Sequence, residues 1–331
     1  MALFVLCIIV FYLYTFFSYN KETDVFSKEK IVPLKGILAL LIVAHHLSSS
    51  VGFLSCFHSW GAPIVSIFLF ISGYGVMRSF ALKGDAYLQG FFRKRILNGI
   101  LIPFLLSWVV YKIVFWNYTP DVVETVSAFL KSGIVTLPHS WYVYAILLFY
   151  ILFYISCKCS AKYSLPLIMG LFVCYVVMMM HVGYARCWYI SSLAFPFGAI
   201  YARYENKFTR IYQHPALYKI TVPVLLALMG LLFLLQSEFS YMFVYVLIPL
   251  TLCCLFAKIK IEKLNKVKSL QFLSGISYEI YLCQGISMSL LRGVYMHVDS
   301  DILYVVLTYI MTILLAVGVK QVKNACLKAT R

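Results

Sequence analysis

Runs of roughly 20 mainly apolar residues recur from one end of this 331-residue chain to the other. A helix of that length spans the hydrocarbon core of a bilayer, about 30 Å thick, and satisfies its own backbone hydrogen bonds there. Composition agrees, because 63% of the residues are hydrophobic and only 12% are charged, against roughly 25% charged residues in soluble domains. The pattern therefore predicts an all-α, polytopic integral membrane protein without a separate soluble domain.

We predict about eleven transmembrane helices from these runs. Their predicted bounds are 2–19, 34–53, 60–80, 95–116, 141–157, 163–180, 188–204, 217–235, 240–257, 269–291 and 302–320. The first run has no basic n-region and no small residues at a cleavage site, so it is predicted to be a helix and not a signal peptide. One transmembrane domain then covers residues 1–331, with 2–19 as an extra N-terminal helix.

The positions of the basic residues predict the orientation. Of 28 Lys and Arg residues, 24 fall in segments on one side of the predicted spans and four on the other, namely Lys112, Lys131, Arg186 and Arg292. Because basic residues in short loops stay in the cytoplasm, we expect the N-terminus outside and the C-terminus in the cytoplasm. The net charge of +16 then reflects loops beside the anionic inner leaflet, and we expect no nucleic-acid partner.

The ten cysteines lie mostly within apolar runs and form no CxxC pair. Buried thiols that act as small hydrophobes explain this distribution. We therefore expect no metal site, and we look for function among the polar side chains inside the predicted spans, which cost several kcal/mol unless they have a partner.

The sharpest such feature is the pair His45 and His46, which follows Lys35 after nine residues without a polar side chain. At about 100° per residue, His46 returns to within about 20° of Lys35, whereas His45 lies about 80° away. The rise of about 16.5 Å places His46 just past the membrane midplane if Lys35 is at the inner surface. His46 is predicted to be a base that meets substrates from opposite sides, and packing against a neighbouring helix is the alternative.

Two further features lie towards the predicted cytoplasmic side. The segment 68–75 contains Ser72 beside two glycines, and its small residues indicate either helix packing or a site hydroxyl. A basic cluster follows, made of Arg78, Arg93, Lys94 and Arg95. It suits a phosphate-bearing ligand, although topology alone also predicts basic residues in this loop.

Polar and aromatic residues also occur at two of the predicted outer boundaries. They are His139, Trp141, Arg186 and Trp188. An interfacial aromatic belt explains the tryptophans without any function, whereas His139 and Arg186 are candidates to bind a sugar or its phosphate.

The segment 277–284 places a carboxyl group, Glu279, inside a predicted span. A carboxylate at that depth should be protonated or paired. Glu279 is expected either to pair with a histidine or arginine of the site or to lock two helices together.

The order of these segments resembles acyltransferase family 3, whose members O-acylate cell-surface carbohydrates, over about residues 30–320. Lys35 and His46 match the family's opening basic residue, usually arginine, and its catalytic histidine. Other matching segments are 68–74, 93–95, 141–150, 195–198 and 277–284. Gln284 stands where many members have histidine, so the role of that position is open here.

The resemblance implies transfer of an acyl group, most often acetyl from cytoplasmic acetyl-CoA, to a hydroxyl of a surface polysaccharide or its lipid-linked precursor. His46 would be the general base, Glu279 a group that orients it, and Ser72 a stabiliser of the oxyanion. The residues expected to hold the CoA phosphates are Lys35, Arg78, Arg93 and Arg95. The residues expected to contact the acceptor are His45, His139, Trp141, Arg186, Trp188, Tyr281 and Gln284.

The expected partners are membrane lipid, an acyl-CoA donor and a carbohydrate acceptor, in the cytoplasmic membrane of a bacterium. We expect no permanently bound cofactor, and the oligomeric state is open, a homo-oligomer included. Direct transfer and a covalent acyl-histidine are equally compatible with the sequence.

Two other function classes stay open. In a glycan transporter or flippase the same His and Glu would relay protons, but we see no corresponding broken helices in two halves of the chain. A catalytically idle, carbohydrate-binding relative is the other, because Lys35 and Gln284 depart from the family pattern.

Overall fold

The computed structural model describes residues 2–17, 26, 28–118, 121–258 and 266–329. Within these ranges the chain forms helices joined by turns and loops, and no strand, which confirms the predicted all-α class. The helices are α1 (Ala2–Phe17), α2 (Lys28–Leu47), α3 (Gly61–Lys83), α4 (Phe92–Val114), α5 (Val122–Ser132), α6 (Trp141–Cys159), α7 (Ser164–Val182), α8 (Ala194–Arg203), α9 (Glu205–Gln213), α10 (Pro215–Leu234), α11 (Glu238–Phe256), α12 (Lys268–Gly275), α13 (Ser277–Leu291) and α14 (Asp301–Ala329). Shorter helical turns cover Gly52–Phe57, Asp85–Gln89, Trp116–Tyr118 and Arg186–Trp188.

Eight of the described helices are long and apolar enough to cross a membrane, namely α2, α3, α4, α6, α7, α10, α11 and α14. Large apolar side chains on their outer surfaces are exposed, among them Ile113, Leu231 and Leu314. Water would not accommodate such a surface, but lipid does. The chain is therefore a multi-pass membrane protein, as predicted.

The other three predicted spans differ from long helices in specific ways. The span 2–19 corresponds to α1, of which 16 residues are described, and its residues 18 and 19 lie outside the described part of the chain. The span 188–204 is not one helix, because turns follow Arg186–Trp188 and only α8 is helical. The span 269–291 is interrupted at Ile276, between α12 and α13. The count of eleven and the orientation stay predictions.

Two glycines set the close crossing of α3 and α8. A Cβ atom at Gly73 would lie 2.0 Å from the carbonyl oxygen of Phe195, and a Cβ atom at Gly198 would lie 2.1 Å from that of Phe70. Only residues without a side chain allow two helix backbones to approach so closely. Gly73 of segment 68–75 is thus a packing residue, the simpler of the two alternatives given for the small residues there.

Helix α2 lies between the two hydrophobic clusters of the described residues. Leu38 belongs to the larger cluster, with residues of α3, α6, α8 and α11, whereas Ala39 and Val43 belong to the smaller one, with residues of α12, α13 and α14. Gly36 permits close contact with α12, since a Cβ atom there would lie 2.8 Å from the Leu270 carbonyl oxygen. Packing on both sides fixes the rotation of α2 about its own axis.

Candidate active site

One face of α2 lines a cavity inside the helix bundle. The cavity has a volume of about 270 Å³, and Lys35, Ala39 and Ile42 contribute to its wall. These positions form one helical stripe that His46 continues, one turn beyond Ile42. The remaining wall residues come from α3, α4, α6 and α13. The stripe predicted from the spacing of Lys35 and His46 therefore borders this space from Lys35 to Ile42, whereas His46, one turn further on, is not among the residues that line it.

Three cations, Lys35, Lys94 and Arg95, line one end of the cavity, which we call the basic end. Lys94 and Arg95 come from a π-helical stretch, Phe92–Leu101. Such stretches are rare and are frequent at functional sites. The Arg95 Nε donates a hydrogen bond of 3.1 Å to the Tyr87 hydroxyl. The basic end has the charge to bind a phosphate-bearing anion.

Two of the arginines predicted to bind CoA phosphates lie elsewhere. The Arg78 guanidinium forms an ion pair with Glu205, whose carboxylate also accepts a 2.7 Å hydrogen bond from the Tyr74 hydroxyl. Arg93 is exposed and is not among the residues that line the cavity. Of the predicted set, the structure brings only Lys35 and Arg95 to the basic end.

Glu279 also lies near the basic end and does not contact His46. Its carboxylate is buried and pairs with Lys320 at 3.4 Å and Lys323 at 3.5 Å, both on α14. Lys35 is a further charged neighbour. The geometry matches the second expectation for Glu279, a lock between helices, and does not support a role in orienting His46.

Hydroxyl groups line the middle of the cavity. Its wall includes Ser72, Tyr142, Tyr150, Tyr278 and Tyr281. The Ser72 side chain interacts with both Tyr142 and Tyr150. Ser72 therefore lies where a cavity-bound ligand would meet it, as its predicted role requires.

Three imidazoles meet at the other end of the α2 stripe, which we call the histidine end. The His46 and His139 rings are stacked, with centroids 3.8 Å apart and planes inclined by 30°. The His45 ring lies 4.9 Å from that of His46, and its Nδ1 donates a 3.2 Å hydrogen bond to the Phe57 carbonyl. Gly61 leaves room for it, since a Cβ atom there would lie 2.3 Å from the His45 Nε2.

His139 is held by its backbone. Its φ of 64° is in the left-handed region, which histidine tolerates better than most residues. The Tyr281 hydroxyl donates a hydrogen bond to its carbonyl oxygen. Pro138 packs against Gly285, where a Cβ atom would lie 2.7 Å from the proline Cβ. Burial lowers the pKa of the His139 imidazole to about 4, and His45 adds to this effect, so His139 is neutral at pH 7.

Of the predicted acceptor-binding residues, only Tyr281 lines the cavity. Arg186 pairs with Glu238 at 2.9 Å and lies over the ring of Tyr241. The Trp141 and Trp188 rings are 6.1 Å apart in an aromatic cluster. Gln284 is fully buried, and within the described part of the chain neither polar atom of its side chain has a hydrogen-bond partner.

Sequence reasoning placed Lys94 in the phosphate-binding cluster but did not assign site roles to the tyrosines 142, 150 and 278. The tyrosines carried a signal, because residues 142 and 150 are eight apart and so face one side of a helix, about 80° from each other. No local sequence pattern indicated a role for Lys320 and Lys323, because their contact with Glu279 depends on the packing of α13 against α14. Among the described residues, no group of three His, Cys, Asp or Glu is placed to hold a metal ion.

Comparison with known proteins identifies the family. The family model described as an acyltransferase domain, acyltransferase family 3, matches residues 34–320. The N-acetylneuraminate (7)9-O-acetyltransferase of Danio rerio is 32% identical over 125 residues, which cover 35% of this chain and 16% of that protein. No solved structure matches the chain. The family match includes the α2 stripe from Lys35 to His46, the whole cavity lining and nearly all of the helical bundle, and the chain belongs to acyltransferase family 3.

Proposed function

We propose that this enzyme binds an acyl-CoA, with acetyl-CoA the expected donor, at the basic end of the cavity. It transfers the acyl group to a carbohydrate hydroxyl at the histidine end. The observation that carries this proposal is the single stripe of α2 that lines the cavity from Lys35 to Ile42 and continues one helical turn further to His46.

The basic end suits the nucleotide part of the donor. Lys35, Lys94 and Arg95 would face its phosphates, and charge-assisted hydrogen bonds to phosphate are the strong ones. The pantetheine arm would extend along the apolar and tyrosine-lined wall. The rise from Lys35 to His46 is about 16.5 Å, a span that an extended thiol arm has to cover to bring the thioester to His46.

His46 has the properties of a general base. A neutral imidazole takes the proton from the attacking hydroxyl, a contribution typically worth about 10²–10⁴-fold in rate. The hydroxyl oxygen then bonds to the thioester carbonyl carbon, the C–S bond breaks, and CoA leaves as the thiolate, which recovers the proton. Ser72 and the Tyr142 hydroxyl line the wall and are the candidate donors to the oxyanion.

A covalent route is the alternative within the same function. In it the His46 imidazole attacks the thioester carbonyl and carries the acyl group until the acceptor hydroxyl displaces it. Protein that retains label from the acyl group before acceptor is added would distinguish this route from direct transfer.

The acceptor is proposed at the level of class. The Danio rerio relative is named for O-acetylation of N-acetylneuraminate, and its match covers a small part of that protein, so we propose a surface carbohydrate hydroxyl without naming the sugar. With the N-terminus outside, the basic end faces the cytoplasm, where acyl-CoA is made, and the histidine end faces outward. The expected location is the cytoplasmic membrane of a bacterium.

The test uses purified full-length protein in lipid nanodiscs with [¹⁴C]acetyl-CoA. Two acceptors are offered: the native cells' membrane glycans and an oligosaccharide that carries N-acetylneuraminate. We expect CoA release and transfer of label to glycan, with a loss of at least about 100-fold in His46→Ala. His181→Ala, which removes an exposed histidine at the end of α7, is the matched control and should be as active as wild type. Movement of glycan across the membrane without thioester cleavage would favour a transporter instead.

A further inference from the structure

Among the residues that the structure describes, no carboxylate pairs with the His46 imidazole. In acyl-transfer sites of the Ser-His-Asp type, a carboxylate holds the base in its reactive orientation. Within the described part of the chain, the His46 side chain makes no hydrogen bond or ion pair, and the side chains that act on it are His139 and His45. Glu279, the carboxylate expected for this task, pairs with lysines at the basic end.

We propose that His139 is the positioning residue of this site, and that it holds the general base by stacking its ring on the ring of His46. The proposal rests on the proposed role of His46. It assigns to the ring of His139 the task that a carboxylate performs elsewhere.

The arrangement of the rings supports stacking over a hydrogen bond. With a centroid distance of 3.8 Å and an interplanar angle of 30°, the two rings present their faces to each other. A hydrogen bond between two imidazoles requires an N–H of one to point at a nitrogen lone pair in the plane of the other. The contact therefore depends on the flat ring of His139 and not on its nitrogen atoms.

The loop around His139 is built as a rigid support. The left-handed backbone at His139 is held by the Tyr281 hydroxyl on its carbonyl and by Pro138, which packs against Gly285. The next residue closes a turn, since the Ser140 N–H donates to the Leu137 carbonyl at 3.1 Å. A backbone in a sparsely populated conformation persists only where its surroundings hold it, and such residues cluster at active sites.

His45 does not share this role. Its Nδ1 is bonded to the Phe57 carbonyl, and its ring is 4.9 Å from His46 at an angle of 50°. The ring of His45 is therefore fixed by the loop after α2, while His139 makes the closer and more parallel contact with His46.

The test distinguishes the contribution of the flat ring of His139 from the contribution of its nitrogen atoms. His139→Asn keeps a residue that tolerates positive φ but removes the ring, and His139→Phe keeps a ring but removes the nitrogens. We expect kcat in His139→Asn to fall about 10- to 100-fold, in the range that follows small misplacement of a catalytic group, with KM for acetyl-CoA nearly unchanged. We expect His139→Phe to retain kcat within about threefold of wild type, because stacking needs only an aromatic face.

Calorimetric binding of CoA shows that each variant is folded. If His139→Phe does not insert, His139→Gly supplies a second ring-free variant whose backbone accepts the positive φ, and wild-type kcat in it would overturn the proposal. An equal loss in His139→Phe and His139→Asn would also overturn it, because the nitrogens would then be the essential groups.

His46→Ala, measured in parallel, distinguishes a failure of the proposed base from a failure of the proposed positioning role. Full activity in His46→Ala would remove the proposed base and the positioning role with it. Activity lost in His46→Ala but kept in His139→Asn would remove the positioning role alone.

Discussion

The Tyr281 hydroxyl donates a hydrogen bond to the carbonyl oxygen of His139, while the same tyrosine lines the cavity. One residue thus joins the cavity wall to the loop that carries the stacked histidine. The Tyr281 side chain therefore contacts both the space where the donor is proposed to bind and the backbone of His139.

Replacing this tyrosine should weaken catalysis more than stability. We expect Tyr281→Phe to lower kcat about tenfold, equivalent to about 1.4 kcal/mol, because the lost hydrogen bond releases the loop that holds His139. Tyr278→Phe is the matched control, since Tyr278 also lines the cavity and donates to a backbone carbonyl, that of Ile100. Steady-state kinetics with acetyl-CoA compares them, and an equal loss of kcat in both variants would contradict the specific link to His139.

The crossing of α3 and α8 should tolerate no added methyl group. In Gly73→Ala the new Cβ would lie 2.0 Å from a backbone oxygen, so the helices must separate, at a cost of about 1–3 kcal/mol or more. Gly75→Ala on the same helix is the control, because apart from its chain neighbours and the adjacent backbone of its own helix no atom lies within 4 Å of its Cβ position. Thermal unfolding in detergent should show a large decrease in Tm for the first variant and almost none for the second. Equal Tm values would contradict the close approach.

Glu279 should matter for stability and not for the base. Glu279→Gln keeps the shape but breaks ion pairs with Lys320 and Lys323, and breaking a buried pair costs about 3–5 kcal/mol. Because Lys320 is one-third exposed, we expect the lower part of that range. Glu238→Gln, which removes a more exposed pair with Arg186, should cost less than about 1 kcal/mol.

The pH dependence of kcat in Glu279→Gln tests whether this carboxylate acts on the base. The pH–rate profile of this variant should keep the wild-type shape, because the structure places the carboxylate away from His46. A shift of the pH–rate profile of this variant along the pH axis would show that Glu279 does act on the base.

His139 should make stability depend on pH in a defined window. Burial lowers its pKa to about 4 in the folded protein, against about 6.5 in an unfolded chain. Between these values the unfolded state binds more protons, so stability is full above about pH 6.5 and decreases as the pH falls towards 4. The decrease in Tm between pH 7 and pH 5 should be smaller in His139→Asn than in wild type. An identical decrease in both proteins would contradict the buried, neutral state of His139.

Local periodicity made part of the site predictable. Lys35 and His46 lie on one helix, so their shared stripe follows from helical geometry alone. The all-α class and the long apolar helices follow equally from the composition of each run.

Contacts between distant segments were not predictable in this way. His139 stacks on His46 across 93 positions of sequence, and nothing in the local pattern indicates that contact. Arg78 looked equivalent to Arg95, but the position of Glu205 gives it a partner of its own. The interrupted spans also escaped the hydropathy pattern, because a turn at Ile276 does not change the apolar character of the run.

The central claim, that donor binding and base chemistry occupy opposite ends of one stripe of α2, is tested most directly by measuring CoA affinity and acyl transfer in the same two variants. We predict that Lys35→Ala weakens the calorimetric Kd for CoA at least several-fold, whereas Lys83→Ala, an exposed lysine at the end of α3, leaves it unchanged. His46→Ala should bind CoA with the wild-type Kd but transfer no label from [¹⁴C]acetyl-CoA. Wild-type transfer in His46→Ala, or unchanged CoA affinity in Lys35→Ala, would contradict the account.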